Sequence, residues 1–161
     1  MAKQFDVVII GGGLAGASCA LSVAKTNPAL NIAVVEANQV TGDYHPSFDD
    51  RRIALAQQSV EYLQSLNLFE QNAPYTAAIK KVSVSDRGHF GKAHINCDEF
   101  AKPSLGYVVE VNPFGRALHL RLTQSNITLL CPDSVIAIEQ TLHSNTLTLQ
   151  SGEQLSAALL V

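Results

Sequence analysis

The chain of 161 residues has the length of one domain, and 47% hydrophobic against 16% charged residues is interior-rich beside the ~25% charged usual for a soluble domain. Its net charge of −3, from 11 basic and 14 acidic residues with no basic run longer than a pair, offers no footprint for nucleic acid. No apolar run reaches the ~20 residues of a membrane span, and Cys19, Cys97 and Cys131 lie too far apart for a dithiol motif or a zinc site.

In chain order, the first element is an apolar run at residues 7–10, long enough for a buried parallel strand. The residues before it leave no room for a signal peptide, so a cytoplasmic location is expected. Gly11, Gly13 and Gly16 follow in G-x-G-x-x-G spacing. Gly11 permits a tight turn from strand to helix, Gly13 lets backbone approach a pyrophosphate, and Gly16 lets the helix lie against the strand. The phosphates would rest on unpaired N–H groups of the first helical turn, with the helix dipole assisting.

Small residues (Ala15, Ala17, Ser18, Ala20) suit close packing of that helix on a sheet, and Asn27-Pro28 stops it. A second buried strand at residues 32–35 ends on Glu36. An acid there accepts hydrogen bonds from a ribose diol and repels a 2′-phosphate, which points to the adenosine half of FAD or NAD rather than NADP. A bare glycine fingerprint is common in unrelated α/β proteins. Here strand, glycines, helix, second strand and terminal acid all occur in order.

A loop over residues 37–50 leads to Arg51 and Arg52, which either reach a phosphate or simply remain solvated beside a helix start. The helix that follows carries Val60, Leu63 and Leu66 on one face, with Phe69 near its end. From residue 78 the period changes to alternation. Val82 and Val84 run up to a turn at Asp86-Arg87-Gly88, and residues 93–95 pair back across it, with His89 and His94 read as surface residues rather than ligands. Residues 107–110 are apolar again, and Asn112-Pro113 predicts a helix start with Asn112 as cap. Phe114, Ala117, Leu118 and Leu122 mark its core stripe; Arg121 beside them either covers the stripe or faces a ligand. The last third is all strand signal, at 127–130, 135–138, 147–149 and 155–161, with a turn at Ser151-Gly152. Because the final strand runs to the last residue, the chain is expected to be a fragment.

Several of these motifs together resemble the class A flavoprotein aromatic hydroxylases, and within them the ubiquinone-biosynthesis branch. The residues that carry the resemblance are Gly11-Gly-Gly-Leu-Ala-Gly16, Glu36, His45-Pro-Ser-Phe-Asp-Asp-Arg51-Arg-Ile-Ala-Leu-Ala56, Val82-Ser-Val-Ser-Asp-Arg-Gly-His89, Gly106-Tyr-Val-Val-Glu110 and Cys131-Pro-Asp133. The first two are generic to FAD proteins; the Arg51 and Val82 stretches are more specific. The resemblance covers the N-terminal part of that family only, and the later Ala-Asp-Gly and Gly-Asp motifs have no counterpart here.

It implies an α/β fold, a Rossmann-like FAD-binding domain over residues 1–75 and 106–161, with a β-excursion at 76–105 that begins a substrate-binding sheet. It implies FAD held by Gly11, Gly13, Leu14, Ala15 and Gly16 at the pyrophosphate, Glu36 at the ribose, Arg51 toward the phosphate end and Val135 against the adenine. Gly115 takes a helix position where relatives often carry Arg or Gln, with Arg116 next to it. The implied reaction uses NAD(P)H and O2 to hydroxylate a polyprenyl phenol, in contact with the inner membrane or a ubiquinone-biosynthesis complex, as a monomer or homo-oligomer. Two other readings remain: another flavin oxidoreductase of halogenase or prenyl-reductase type, and a nucleotide-binding module without turnover.

Overall fold

The computed structural model describes residues 2–40, 46–70, 73–142 and 144–161; Gly42 and His45 of the loop and motif above lie outside them. The chain divides into two compact units, residues 1–49 with 112–161, and residues 50–111.

In the first unit, strand β1 (Lys3–Ile10) is central, and Val7, Val8 and Ile9 are its buried residues. It pairs in parallel with β2 (Ile32–Val35) on one side and β11 (Gln154–Leu160) on the other, and β2 pairs in parallel with β8 (Thr128–Leu130). All four residues of β2 are buried, as a strand covered on both faces requires. The sheet is mixed rather than wholly parallel. Strands β9 (Val135–Gln140) and β10 (Asn145–Leu149) join β11 antiparallel, giving the order β8-β2-β1-β11-β10-β9. Connections as short as the Ser151-Gly152 turn allow no other geometry, because a parallel crossover needs a dozen residues or more.

Helix α1 (Leu14–Thr26) packs on β1 and β2. Ala17 and Ala20 are completely buried, so the small side chains hold the helix close. The helix ends at Asn27, whose N–H donates to the carbonyl of Val23 at 2.9 Å, and Pro28 prevents a further turn. A separate cluster of Val8, Ala33, Val35, Leu147, Leu149 and Leu155, all 2% exposed or less, contains no helical residue. Val135 and Leu130, from opposite ends of the strand order, both pack against it. The antiparallel end of the sheet therefore curls over its parallel end.

Helix α3 begins at Val111 rather than after an Asn112 cap, and runs to Thr123. The Val111 N–H donates to the carbonyl of Arg51, which starts the helix at the end of a strand and puts Asn112 and Pro113 inside the first turn. Proline is tolerated there because the first-turn N–H groups have no partner within the helix. Phe114, Leu118 and Leu122 form the buried stripe. Arg121 is exposed in the last turn, where a cation suits the helix dipole. Gly115 is buried beneath Phe48, itself 1% exposed, and a methyl group at Gly115 would collide with the Phe48 ring. The space beside Gly115 is filled by an aromatic ring from the loop.

In the second unit, β3 (Arg52–Ala56), β7 (Gly106–Glu110) and β4 (Thr76–Ile79) form an antiparallel sheet in the order β3-β7-β4. Strand β3 has little signal of its own in the sequence. Its five residues alternate between exposed and half-buried, a weak pattern that becomes a strand because β7 is there to pair with. Helix α2 (Gln57–Ser65) buries Val60 and Leu63, and Leu66 is its C-cap. The Phe69 ring meets Tyr107 edge-on at 5.5 Å between centroids. Strands β5 (Lys81–Ser85) and β6 (Lys92–Asn96) make the expected hairpin, paired as Val82 with Ile95 and Val84 with Ala93.

Replacing Gly115 by alanine is expected to destabilise the first unit by about 1–3 kcal/mol through overpacking against Phe48. Denaturant unfolding measures the loss. Adding Phe48→Leu to that variant should recover part of it, and a Gly115→Ala protein as stable as the parent would contradict this packing.

Candidate nucleotide-binding site

The turn between β1 and α1 is tied down at several points. Gly11 has φ +101°, a conformation that favours glycine, and its N–H donates to the carbonyl of Val35 at 2.8 Å. A methyl group at Gly16 would strike the carbonyl oxygen of Gly11, so the third glycine is what allows α1 to start against the end of β1. Gly13 is different. Its φ is −66° and a Cβ there would meet only Ser47, at 3.5 Å, an ordinary contact. The fold itself does not demand glycine at this position. A ligand approaching the backbone would.

Gly13 is also the N-cap of α1, and it offers no side-chain cap; no acidic residue stands in the first turn. The N–H groups of Leu14, Ala15 and Gly16 therefore begin the helix without a capping side chain or an acid of the helix itself, an arrangement that favours an anion.

Glu36 is 5% exposed, an unusual burial for a glutamate. Its Oε2 accepts the N–H of Gly12 at 2.6 Å, and its Oε1 accepts the N–H of Asn38 at 2.7 Å and Nδ2 of Asn38 at 3.3 Å. The acid thus fastens the glycine turn to the end of β2. Gly12 makes the clasp possible: a Cβ there would lie 3.1 Å from Cβ of Glu36 and 3.3 Å from Oε2. Glycine between two fingerprint glycines attracts no notice in the sequence, and its partner is 24 residues away.

A cleft of about 260 Å³ opens beside this clasp, lined by Ile10, Gly11, Val35, Glu36, Ala37 and residues 133–135. Of the residues proposed from sequence, Gly11, Glu36 and Val135 meet here. Gly13, Leu14, Ala15 and Gly16 continue directly from Gly11. Arg51 belongs to the second unit, exposed just before β3.

Asp133 and Ser134 also line the cleft, beside Glu36, and were not proposed as site residues. The Asp133 N–H donates to the carbonyl of Glu36 at 2.9 Å, while its carboxylate accepts the hydroxyl of Ser151 at 2.6 Å and the N–H of Ser134 at 2.8 Å. The Ser151 hydroxyl, opposed by burial and aided by the backbone N–H groups of Ser134, Ser151 and Gln150, holds the Asp133 carboxyl below its usual range. Cys131 donates its S–H to the carbonyl of Asn38 at 3.4 Å, and burial, reinforced by the negative charge of Glu36, pushes its thiol up. A raised thiol pKa makes Cys131 a poor nucleophile. His89 and His94 lie on the exposed hairpin, paired with Asp86 and Ser83 at 2.9 Å each. Among the described residues no group of His, Cys, Asp or Glu could hold a metal ion, and no helix is long and apolar enough to cross a membrane.

The cleft and the first turn of α1 are adjacent, and the comparisons with known proteins bear on the fold that holds them. Residues 6–48 match the sequence family described as FAD binding domain. The fold matches p-nitrophenol 4-monooxygenase PnpA from Pseudomonas putida with a TM-score of 0.76 over 99% of this chain and 40% of that one, at 18% identity. It also matches the flavin-dependent monooxygenase PieE, solved with FAD and substrate, with a TM-score of 0.69 over 98% of this chain and 29% of that one, at 17% identity. These likenesses establish the architecture: an α/β, Rossmann-like FAD-binding domain.

Among curated proteins the chain is similar to the ubiquinone biosynthesis monooxygenase COQ6 of Dictyostelium discoideum, 25% identical over 98% of the chain, and to the ubiquinone hydroxylase UbiM of Neisseria meningitidis, 26% identical over all of it. It spans 36% of the length of each.

Two glycine variants separate the roles just described. Gly16→Ala should lower stability by about 1–3 kcal/mol, since backbone must move to admit the methyl group. Gly13→Ala should leave the melting temperature nearly unchanged while weakening FAD binding about tenfold or more, through lost approach of the phosphates. Equal melting losses in the two would refute the distinction. In a separate titration followed by NMR, Ser151→Ala should move the Asp133 carboxyl back up toward the ordinary aspartate value. Since the stability a depressed pKa contributes is present above the ordinary value and is lost as pH falls through the depressed one, the variant should also be less sensitive to acid.

Proposed function

We propose that this chain is the FAD-binding part of a flavin monooxygenase that hydroxylates a polyprenyl phenol, of the 2-octaprenyl-6-methoxyphenol type, in ubiquinone biosynthesis. One observation carries the cofactor assignment: a buried acid at the end of β2 clasps the glycine turn beside a cleft, while the first turn of α1 has no capping side chain. The similarity to a ubiquinone biosynthesis monooxygenase and a ubiquinone hydroxylase supports the substrate class.

When bound, FAD supplies the redox chemistry, taking electrons from NAD(P)H and activating O2. The chain's own residues have other tasks. N–H groups of Leu14, Ala15 and Gly16 would hold the pyrophosphate, Glu36 would accept a ribose hydroxyl, and Val135 would wall the adenine. Arg51 is assigned to the phosphate end on the resemblance alone. A reading as a prenyl reductase has the fold in its favour, since a geranylgeranyl bacteriochlorophyll reductase-like protein of Thermoplasma acidophilum matches with a TM-score of 0.68 at 14% identity. The sequence relatives favour hydroxylation.

Titrating the purified chain with FAD, followed by the flavin visible spectrum, tests the cofactor reading. Saturable binding is expected in the micromolar range, and Glu36→Ala should weaken it about tenfold or more by removing a charged acceptor and freeing the Gly12 N–H. A folded chain that ignores FAD, or a variant that binds as well as the parent, would overturn it. For the reaction, the intact protein with NAD(P)H and a polyprenyl phenol should consume O2 and yield a product heavier by one oxygen. A reduced isoprenoid product instead would establish the reductase reading.

A further inference from the structure

The segment Pro46-Ser47-Phe48 lies against the start of α1, although it is far from it in the sequence. A Cβ at Gly13 would stand 3.5 Å from Cβ of Ser47 and 3.6 Å from its Oγ. Gly13 is the N-cap of α1, and the direction its Cβ would take is the one along which a capping side chain reaches the first-turn N–H groups. The Ser47 side chain therefore borders the space where a cap would lie, and where a phosphate would accept from Leu14, Ala15 and Gly16. Both ends of this contact belong to the first unit.

The position of Ser47 is held on both sides. Pro46 has a fixed φ, and Phe48, 1% exposed, lays its ring over Gly115 of α3. Ser47 itself is half-buried. A side chain so placed loses little freedom when a ligand arrives. Its hydroxyl can donate one hydrogen bond, accept others, and turn about the Cβ–Oγ bond toward an incoming oxygen. The match to the FAD binding domain family, over residues 6–48, takes in both the glycine turn and this segment.

We infer that Ser47 is a phosphate-binding residue of the nucleotide site, its hydroxyl donating to a diphosphate oxygen from the flank of α1 while the helix N–H groups hold the anion end-on. The inference rests on the FAD reading and adds to it a donor from outside the glycine turn. A diphosphate presents oxygens on several sides, and N–H groups at a helix end meet those that face the axis. A donor at the flank meets another. Glycine at 13 and serine at 47 then explain each other, since a side chain on Gly13 would fill the space that Ser47 shares with the ligand.

Titration of the full chain with FAD and with ADP, accompanied by phosphorus NMR of the bound diphosphate, tests this role through three variants. Ser47→Ala removes the hydroxyl and Ser47→Thr keeps it. Ser47→Val has the shape of threonine without the hydroxyl, and the missing side chain at Gly13 leaves room for the extra methyl group in both. Ser47→Ala and Ser47→Val should each bind FAD and ADP about fivefold more weakly, with shifted phosphorus resonances. Ser47→Thr should bind as the parent does. Circular dichroism verifies that each variant is folded. Threonine and valine variants that behave alike would overturn the inference, because affinity would then follow side-chain shape rather than the hydroxyl. A parent that binds FAD no better than Ser47→Ala and Ser47→Val do would overturn it too, and leave the cofactor reading intact. A folded parent that binds neither FAD nor ADP would overturn the cofactor reading, and this inference with it.

Discussion

The hydrogen bond from the Gly12 N–H to the buried carboxylate of Glu36 is the constraint on which the nucleotide site depends. It closes a loop between the ends of two adjacent parallel strands, and it fixes the turn from which α1 departs. A buried carboxylate is tolerated only when donors satisfy it, and the N–H groups of Gly12 and Asn38 do so. The acid thus has a structural duty before any ligand arrives. It orders the backbone that a diphosphate would meet, so the cost of arranging the loop is met during folding rather than on binding.

Around that clasp the sheet provides walls of two kinds. On the parallel side, small residues of α1 let the helix press against β1 and β2, and Gly16 over the Gly11 carbonyl sets how close it begins. On the antiparallel side, β9 and β10 curl back so that Val135 packs toward Val35 and Leu130. That curl brings residues 133–135 to Glu36 and turns the open end of a strand pair into a cleft. Asp133 then stiffens this wall through Ser151, a residue of the next hairpin turn.

Much of this was legible in the sequence. The glycine spacing, the apolar runs at β1 and β2 and the acid after β2 are local or nearly local signals, and each corresponds to the element found there. Helix α3 begins two residues earlier than its Asn-Pro signal suggested, because the Val111 N–H finds the Arg51 carbonyl and extends the helix backward. Strand β3 has little signal of its own, since a half-exposed alternation of five residues becomes a strand only through its partner β7. Of the two stretches most specific to the resemblance, the one at residues 82–89 and the Arg51 part of the other lie in the second unit, apart in sequence from the glycine turn.

What the sequence determined by itself is the set of short-range choices: where glycine is required by backbone, where small side chains permit close packing, and where a strand must be buried on both faces. These follow from sterics and periodicity within a few residues. Tertiary structure decided which distant groups meet. The pairing of Gly12 with Glu36, the Phe48 ring over Gly115 and the approach of Asp133 to the Glu36 carbonyl arise from how the sheet curls and how loops return across it. A carboxylate finds its donor, and a ring its space, only after the strands between them have taken their register.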